Sequence, residues 1–307
     1  MGFGQDENNF CQQPLDNHPK LETLRNLVAW VGAQIIYFLI WVLGKRTGFE
    51  ENPWLAGPLG SEYIGERPYD EVAKAEGLEL ERNARHGGLI PDFDALNCPS
   101  FDSTAIHPAI RDFYEQTAQH RIDVWPHTYF PANLALWLLV TTISRKVNQL
   151  NFPTNALDLA MGVSSEIALL KRSDGTIQYT GWLRKFSSDQ RVLYTGFYMV
   201  GATPIKDTPV VKAVFPMPDG NATVILRPKV GDDGAFLLES DGDEFGDTGF
   251  YRIQKHQGAP MRIWRVGSLR ENFRVFVDEE GIVRCDHQVQ YLGLNVLRLH
   301  YRIERVN

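Results

Sequence analysis

The chain has 307 residues, 43% of them apolar, which suits one large or two ordinary globular domains and excludes wholesale disorder. A net charge of −7 excludes an obligate nucleic-acid binder, because displacing counterions from phosphates needs a dense cationic surface. The three cysteines, Cys11, Cys98 and Cys285, are odd in number and lack metal-finger spacing, so no disulfide framework is encoded and a reducing compartment is expected.

The first predicted element is an apolar helix over residues 27–43, LVAWVGAQIIYFLIWVL, inside an amino-terminal segment 1–49. At about 1.5 Å per residue it is near the lower limit for crossing a bilayer. Trp30 and Trp41 stand near its ends as interfacial aromatics do, and Arg25, Lys45 and Arg46 bracket it with positive charge on both sides, so no orientation can be read. A cleavable leader fits poorly, since Asp6, Glu7 and Asp16 precede the apolar run, and Asp6 also spoils a myristoylation start. Membrane association through 27–43 is the expectation; the alternative is an all-round apolar helix buried in the fold.

Residues 50–103 contain NPWLAGPLG, ERPYDE and HGGLIPDFD, a density of Gly and Pro that allows only short elements. Acidic residues outnumber basic ones threefold over 50–102. One helix over 69–76 is predicted, and Trp54, Leu55, Leu89, Ile90 and Phe93 are too apolar for a free linker, so this connector should pack against the body.

The third segment, 104–307, opens with two helices. One starts at Pro108 with His107 as its cap, and Ile110, Phe113, Tyr114 and Thr117 recur at helical spacing. The second starts near Pro131 and runs toward residue 150, apolar on every side before Arg145 and Lys146. His107, Asp112, Glu115, His120, Asp123 and His127 are metal-ligand types, but no HExxH or Glu-x-x-His couple brings two of them toward one ion, so no metal is expected. His127, beside Trp125 and Pro126, reads as a turn residue.

From residue 164 onward, runs rich in Val, Ile, Tyr, Phe and Trp alternate with turn dipeptides. Asp174-Gly175, Asp219-Gly220, Asp233-Gly234 and Glu280-Gly281 supply the positive φ angles of tight hairpins. Strands are predicted near 164–171, 176–186, 191–200, 209–215, 221–229, 235–240, 249–256, 260–266, 270–278, 282–291 and 295–305. So many strands in an antiparallel meander accumulate too much twist to stay flat. The expected fold is therefore α+β, with amino-terminal helices followed by a closed or partly closed lipocalin-like barrel.

Alternation puts Leu297, Leu299, Tyr301 and Ile303 on one inward face, and Val283, Cys285, His287, Val289 and Tyr291 on another. A barrel of this breadth can leave a lumen, and Tyr179, Trp182, Tyr198, Arg262, Trp264, Cys285, His287 and Tyr301 are the candidate ligand-lining residues. Arg262 would anchor an anionic end beside Trp264. His287 is the candidate acid or base, if chemistry occurs. The carboxy-terminal arginines, Arg252 to Arg302, read first as cross-strand ion pairs and only second as an anion site. GDTGFY lacks the lysine of a phosphate loop, and Asn221-Ala222-Thr223 sits where a strand begins, so both are chance matches.

NPW with GPLG, LIPDF, HPAIRDFYEQT with DVW, VKAVFPMPDGNATVILRP, FGDTGFY and LRLHYRI together resemble a family of bacterial proteins of unassigned function, over residues 52–303. The resemblance implies no activity, cofactor or catalytic residue, and residues before 52 depart from it. The second half is also similar in style to calycin-like ligand-binding barrels. The leading functional expectation is a membrane-associated carrier of a hydrophobic or lipid-like small molecule, its main domain cytoplasmic and without a cofactor. The alternatives are an isomerase, cyclase or hydrolase acting inside the barrel, and a partner-binding scaffold with a filled core.

Overall fold

The computed structural model describes residues 19–61, 63–133, 144, 147–151, 153, 159, 161–256 and 259–306. The elements among them are, in order, α1 (Pro19–Leu43), β1 (Lys45–Arg46), α2 (Pro68–Glu76), β2 (Glu79–Glu81), α3 (Pro108–Glu115) and β3 (His120–Thr128). There follow β4 (Val163–Lys171), β5 (Ile177–Phe186), β6 (Val192–Ala202), β7 (Pro209–Met217), β8 (Gly220–Val230) and β9 (Phe236–Glu239). Last come β10 (Gly249–His256), β11 (Ala259–Arg265), β12 (Leu269–Val277), β13 (Val283–Tyr291) and β14 (Leu294–Arg305). The chain is α+β, and all the strands predicted from residue 164 onward are present.

The turns and caps form for the reasons the residues dictate. Asp219, Asp233, Gly175, Gly234 and Gly281 all take positive φ. His107 caps α3 by accepting from the Ala109 amide at 3.2 Å. Gly220 serves a close approach, since a Cβ there would lie 1.9 Å from the Ile253 carbonyl oxygen of β10. The second helix predicted from Pro131 lies almost wholly outside the described residues. His127 is a correction: it sits in a strand rather than a turn, opposite Arg298 of β14, because 120–128 alternates buried and exposed side chains.

The main path of the sheet runs β2-β4-β5-β6-β7-β8-β9-β12-β13-β14-β3, every ladder antiparallel. It is a meander with two departures. The β10–β11 hairpin leaves the path and pairs with the first half of β8, whose second half pairs with β9. β3, made long before the meander, completes the far edge against β14.

Side chains from β4 round to β3 meet in one buried cluster, so the sheet is curled about them. Part of that concave space is plugged by the connector and α3: Phe93 and Tyr114 pack on Phe236 with ring centroids 5.0 and 5.2 Å apart. On the convex side α2 seats Tyr69 against Phe197 at 5.1 Å. Nearby, the Trp54 ring meets Tyr251 edge-on, and the buried Lys212 ammonium donates to the carbonyls of Trp54 and Ala56. The connector is thus packed on the body, and its NPW and GPLG residues are a strap tied to the sheet.

The expected closure is met only in part. Strands β3 and β4 approach one another, yet no ladder joins them among the described residues. The free edge of β4 is already taken by β2 and by the Ala84 amide, which donates to the Ile167 carbonyl. The seam is spanned instead by a side chain, Arg184 of β5, donating to the Ile122 carbonyl of β3 at 2.8 Å.

Among the described residues no helix is long and apolar enough to cross a membrane. Helix α1 buries Ile40 against the body, beside β11. Leu27, Trp30, Val31, Ile35, Phe38, Trp41 and Val42 are exposed and at 100° per residue form one stripe, with exposed Leu43 outside it at the helix end.

Candidate ligand site on the concave face

Alternation along β5 aims Trp182 and Arg184 inward, and the facing strand β6 contributes Tyr194 and Tyr198, with Arg184 opposite Tyr194 in register. Across the interior, Tyr301 of β14 stands opposite Cys285 of β13, and His287 opposite Phe273 of β12. Trp182 meets the rings of Tyr194 and Tyr198 edge-on at 5.4 and 5.7 Å, while its indole N–H donates to Ser165 at 2.6 Å.

The polar groups of this cluster are desolvated. Burial pushes the Tyr198 and Tyr301 phenols well above the usual range, and neighbouring phenols push them further. Tyr194 also rises through burial, although the Arg184 guanidinium beside it pulls the other way. The Cys285 thiol is raised by burial first and by Asp286 second. Nevertheless Tyr194, Tyr198, Tyr301 and Phe273, taken as whole residues, are only half-buried.

His287 is buried and stacks on Phe273, ring centroids 3.8 Å apart and planes 13° from parallel. Its Nε2 hydrogen-bonds the Glu271 carboxylate at 3.0 Å. Because a carboxylate only accepts, Nε2 donates. Nδ1 has no partner among the described residues. Glu271 is the acid that sequence reading did not find for His287. Its signal was present: Leu269, Glu271, Phe273, Val275 and Val277 share one strand face, and Glu271 is the sole charge on it. Arg184, between Trp182 and Phe186, carried the same signal.

The other predicted site residues divide. Trp182, Tyr198, Cys285, His287 and Tyr301 all belong to the concave cluster or pack on it. Tyr179 does not: it lies on the convex face with α2, its hydroxyl donating to Glu76 at 3.0 Å and burial raising it to about 12. Odd positions of β5 point away from Trp182, which is why. Arg262 and Trp264 are corrected too, since they sit on the side hairpin. Arg262 donates to the Trp41 carbonyl in the last turn of α1 and to the Gly44 carbonyl just past it, and stacks over the Trp41 ring at 5.4 Å. It satisfies a helix carboxyl end, as cationic side chains commonly do.

Several motifs prove architectural. The FGDTGFY segment closes a loop in which Arg265 and Arg270 both donate to the Gly242 carbonyl and Tyr251 donates to the Asp247 carbonyl. Asn221 is fully buried, its amide donating to the Pro58 carbonyl. Of the late arginines, Arg298 of β14 pairs across strands with Asp286 of β13 at 3.0 Å, whereas Arg284 pairs with Asp278 of the preceding turn at 2.7 Å. Among the candidate metal ligands, His120 faces Asp112 at 3.4 Å, and Asp112 is held by Arg305 at 2.9 Å. No group of three such ligands converges among the described residues.

No protein-family model matches the chain, and no solved structure matches it. It is similar to the "Uncharacterized membrane protein YndJ" of Bacillus subtilis (strain 168), with 24% identity over 251 residues. The match covers 80% of this chain but 43% of that protein, so the chain spans less than half of its relative's length. The resemblance to an uncharacterised group of unassigned function therefore stands.

Proposed function

We propose that this is a membrane-associated carrier whose curled, calycin-like sheet holds a hydrophobic or lipid-like small molecule against the Trp182, Tyr198 and Tyr301 rings. One observation carries the reading: large apolar residues keep accessible surface on one stripe of α1 and on the concave face of the sheet. Contiguous exposed apolar surface on a folded protein marks a binding or membrane face. Exposed Lys45 and Arg46 follow the stripe directly, where anionic headgroups would sit. The relative's name as a membrane protein supports this, and the free thiols of Cys98 and Cys285 fit a reducing, cytoplasmic side.

The test is native mass spectrometry and lipid extraction of the purified full chain, with sedimentation on vesicles of phosphatidylglycerol and phosphatidylcholine. A co-purified amphiphile and vesicle binding are expected; a protein that carries nothing and stays in the supernatant contradicts the reading. A second reading, an acid–base enzyme, is favoured by a buried His287 ring anchored to Glu271 whose Nδ1 has no partner among the described residues. Unchanged small-molecule products in cells carrying His287→Ala would remove it.

A further inference from the structure

Three cations lie deep in this protein without a carboxylate within ion-pair distance among the described residues. Lys212 and Arg252 are answered by other oxygens. The Lys212 ammonium has the Trp54 and Ala56 carbonyls, and the Arg252 guanidinium has the carbonyls of Asn221, Ile253 and Pro218 and the Gln254 side chain. Arg184 is different. The residue is 1% exposed, its guanidinium donates to the Ile122 carbonyl and lies 5.5 Å from the Trp182 ring centroid, and its Nε has no partner among the described residues.

A buried guanidinium with no counter-charge is costly, as when a buried ion pair loses one member. Closing the seam to β3 explains one N–H of the five. Glu271, the carboxylate that faces the same interior, is held by His287. Tyr194, opposite Arg184 in register, and Tyr301 stand where the guanidinium polarises their hydroxyls, and both, taken as whole residues, keep accessible surface that Arg184 lacks. A phenol backed by a fixed positive charge is a strong donor to an anion. One uncompensated positive charge suits one negative charge, so a carboxylate fits better than a doubly charged phosphate.

We propose that the Tyr194 and Tyr301 hydroxyls, backed by Arg184, receive the carboxylate of an amphiphile whose chain lies along the concave aromatic rings. This rests on the carrier reading and names its ligand class. Arg184 acts through the phenols and does not itself touch the ligand.

The experiment titrates the full chain with cis-parinaric acid and with its methyl ester at about pH 8, where the acid is ionised. Wild type is compared with Arg184→Gln and Tyr194→Phe, each checked for its folded circular-dichroism spectrum. Wild type should prefer the acid by about tenfold or more, the worth of one charge-assisted hydrogen bond. Both variants should lose most of that preference while binding the ester within about twofold of wild type. Survival of the preference in either folded variant overturns the proposal, as does equal binding of acid and ester by wild type, which leaves the carrier reading intact. Binding of neither probe by wild type overturns both. Should Arg184→Gln fail to fold, Tyr194→Phe decides alone, because it removes a hydroxyl and leaves the seam bond to Ile122 in place.

Discussion

Lys212 shows how a single side chain sets a measurable pH response. Burial lowers its ammonium to about 8, against roughly 10.4 for a lysine in the unfolded chain. Below the folded value both states are charged, and the folded protein bears the whole desolvation cost. Between the two values the folded state sheds its proton first, so stability rises with pH through that window. Urea melts of wild type and Lys212→Met should therefore diverge in favour of wild type between about pH 8 and pH 10; parallel curves would mean that burial does not lower the Lys212 ammonium. Cys285 behaves in the opposite sense. Its thiol is buried and its thiolate disfavoured, so a thiol reagent should label half-exposed Cys98 in seconds to minutes and reach Cys285 only on unfolding. Labelling of both at one rate would contradict the packing of β13. His287 could be placed indoors from alternation alone, because five consecutive odd positions of β13 needed one wall. Its partner could not, because pairing His287 with Glu271 requires knowing which residue of β12 lies near it across a ladder.

Helix α2 is held on the sheet by a missing side chain. A Cβ on Gly181 of β5 would stand 2.5 Å from the Tyr69 ring, which is fully buried there. Gly181→Val should cost about 3 kcal/mol through overpacking, read as a lower urea midpoint with an unchanged slope; an unaffected midpoint would show that α2 can lift away freely. Helix α1 poses the reverse case, since its large side chains face out. Trp30→Ser, Phe38→Ser and Trp41→Ser together should abolish vesicle sedimentation while leaving the thermal melt near wild type, because these three rings lie on the exposed stripe. Loss of fold instead would mark the stripe as a packing surface. The helix and the strands after residue 164 were readable because each rests on local periodicity and turn chemistry. The destination of Arg262 was not: nothing local says that a strand arginine will close the carboxyl end of a helix more than two hundred residues earlier.

At the scale of the molecule, strand count foretold curling and local pattern could not foretell the seam. Closure depended on whether the edge of β4 was free, and β2, a three-residue strand from the connector, occupies it. The short strands β1 and β2 carry too few residues to show a period of two, and β3 hid within a group of histidines and acids that invited a metal reading. Removing β14 by ending the chain at residue 293 should leave a protein that aggregates on expression, since it strips β13 and β3 of a shared neighbour at once; a soluble, melting product would show that the remaining sheet stands without its last member.

The pairing of β3 with β14 also sets an order of events during synthesis. β3 leaves the ribosome before the edge it must join, which is made only after β4 to β13. For the whole intervening period a nascent chain bearing a greasy α1 holds an unmated ribbon, open to mispairing until β14 emerges to join it.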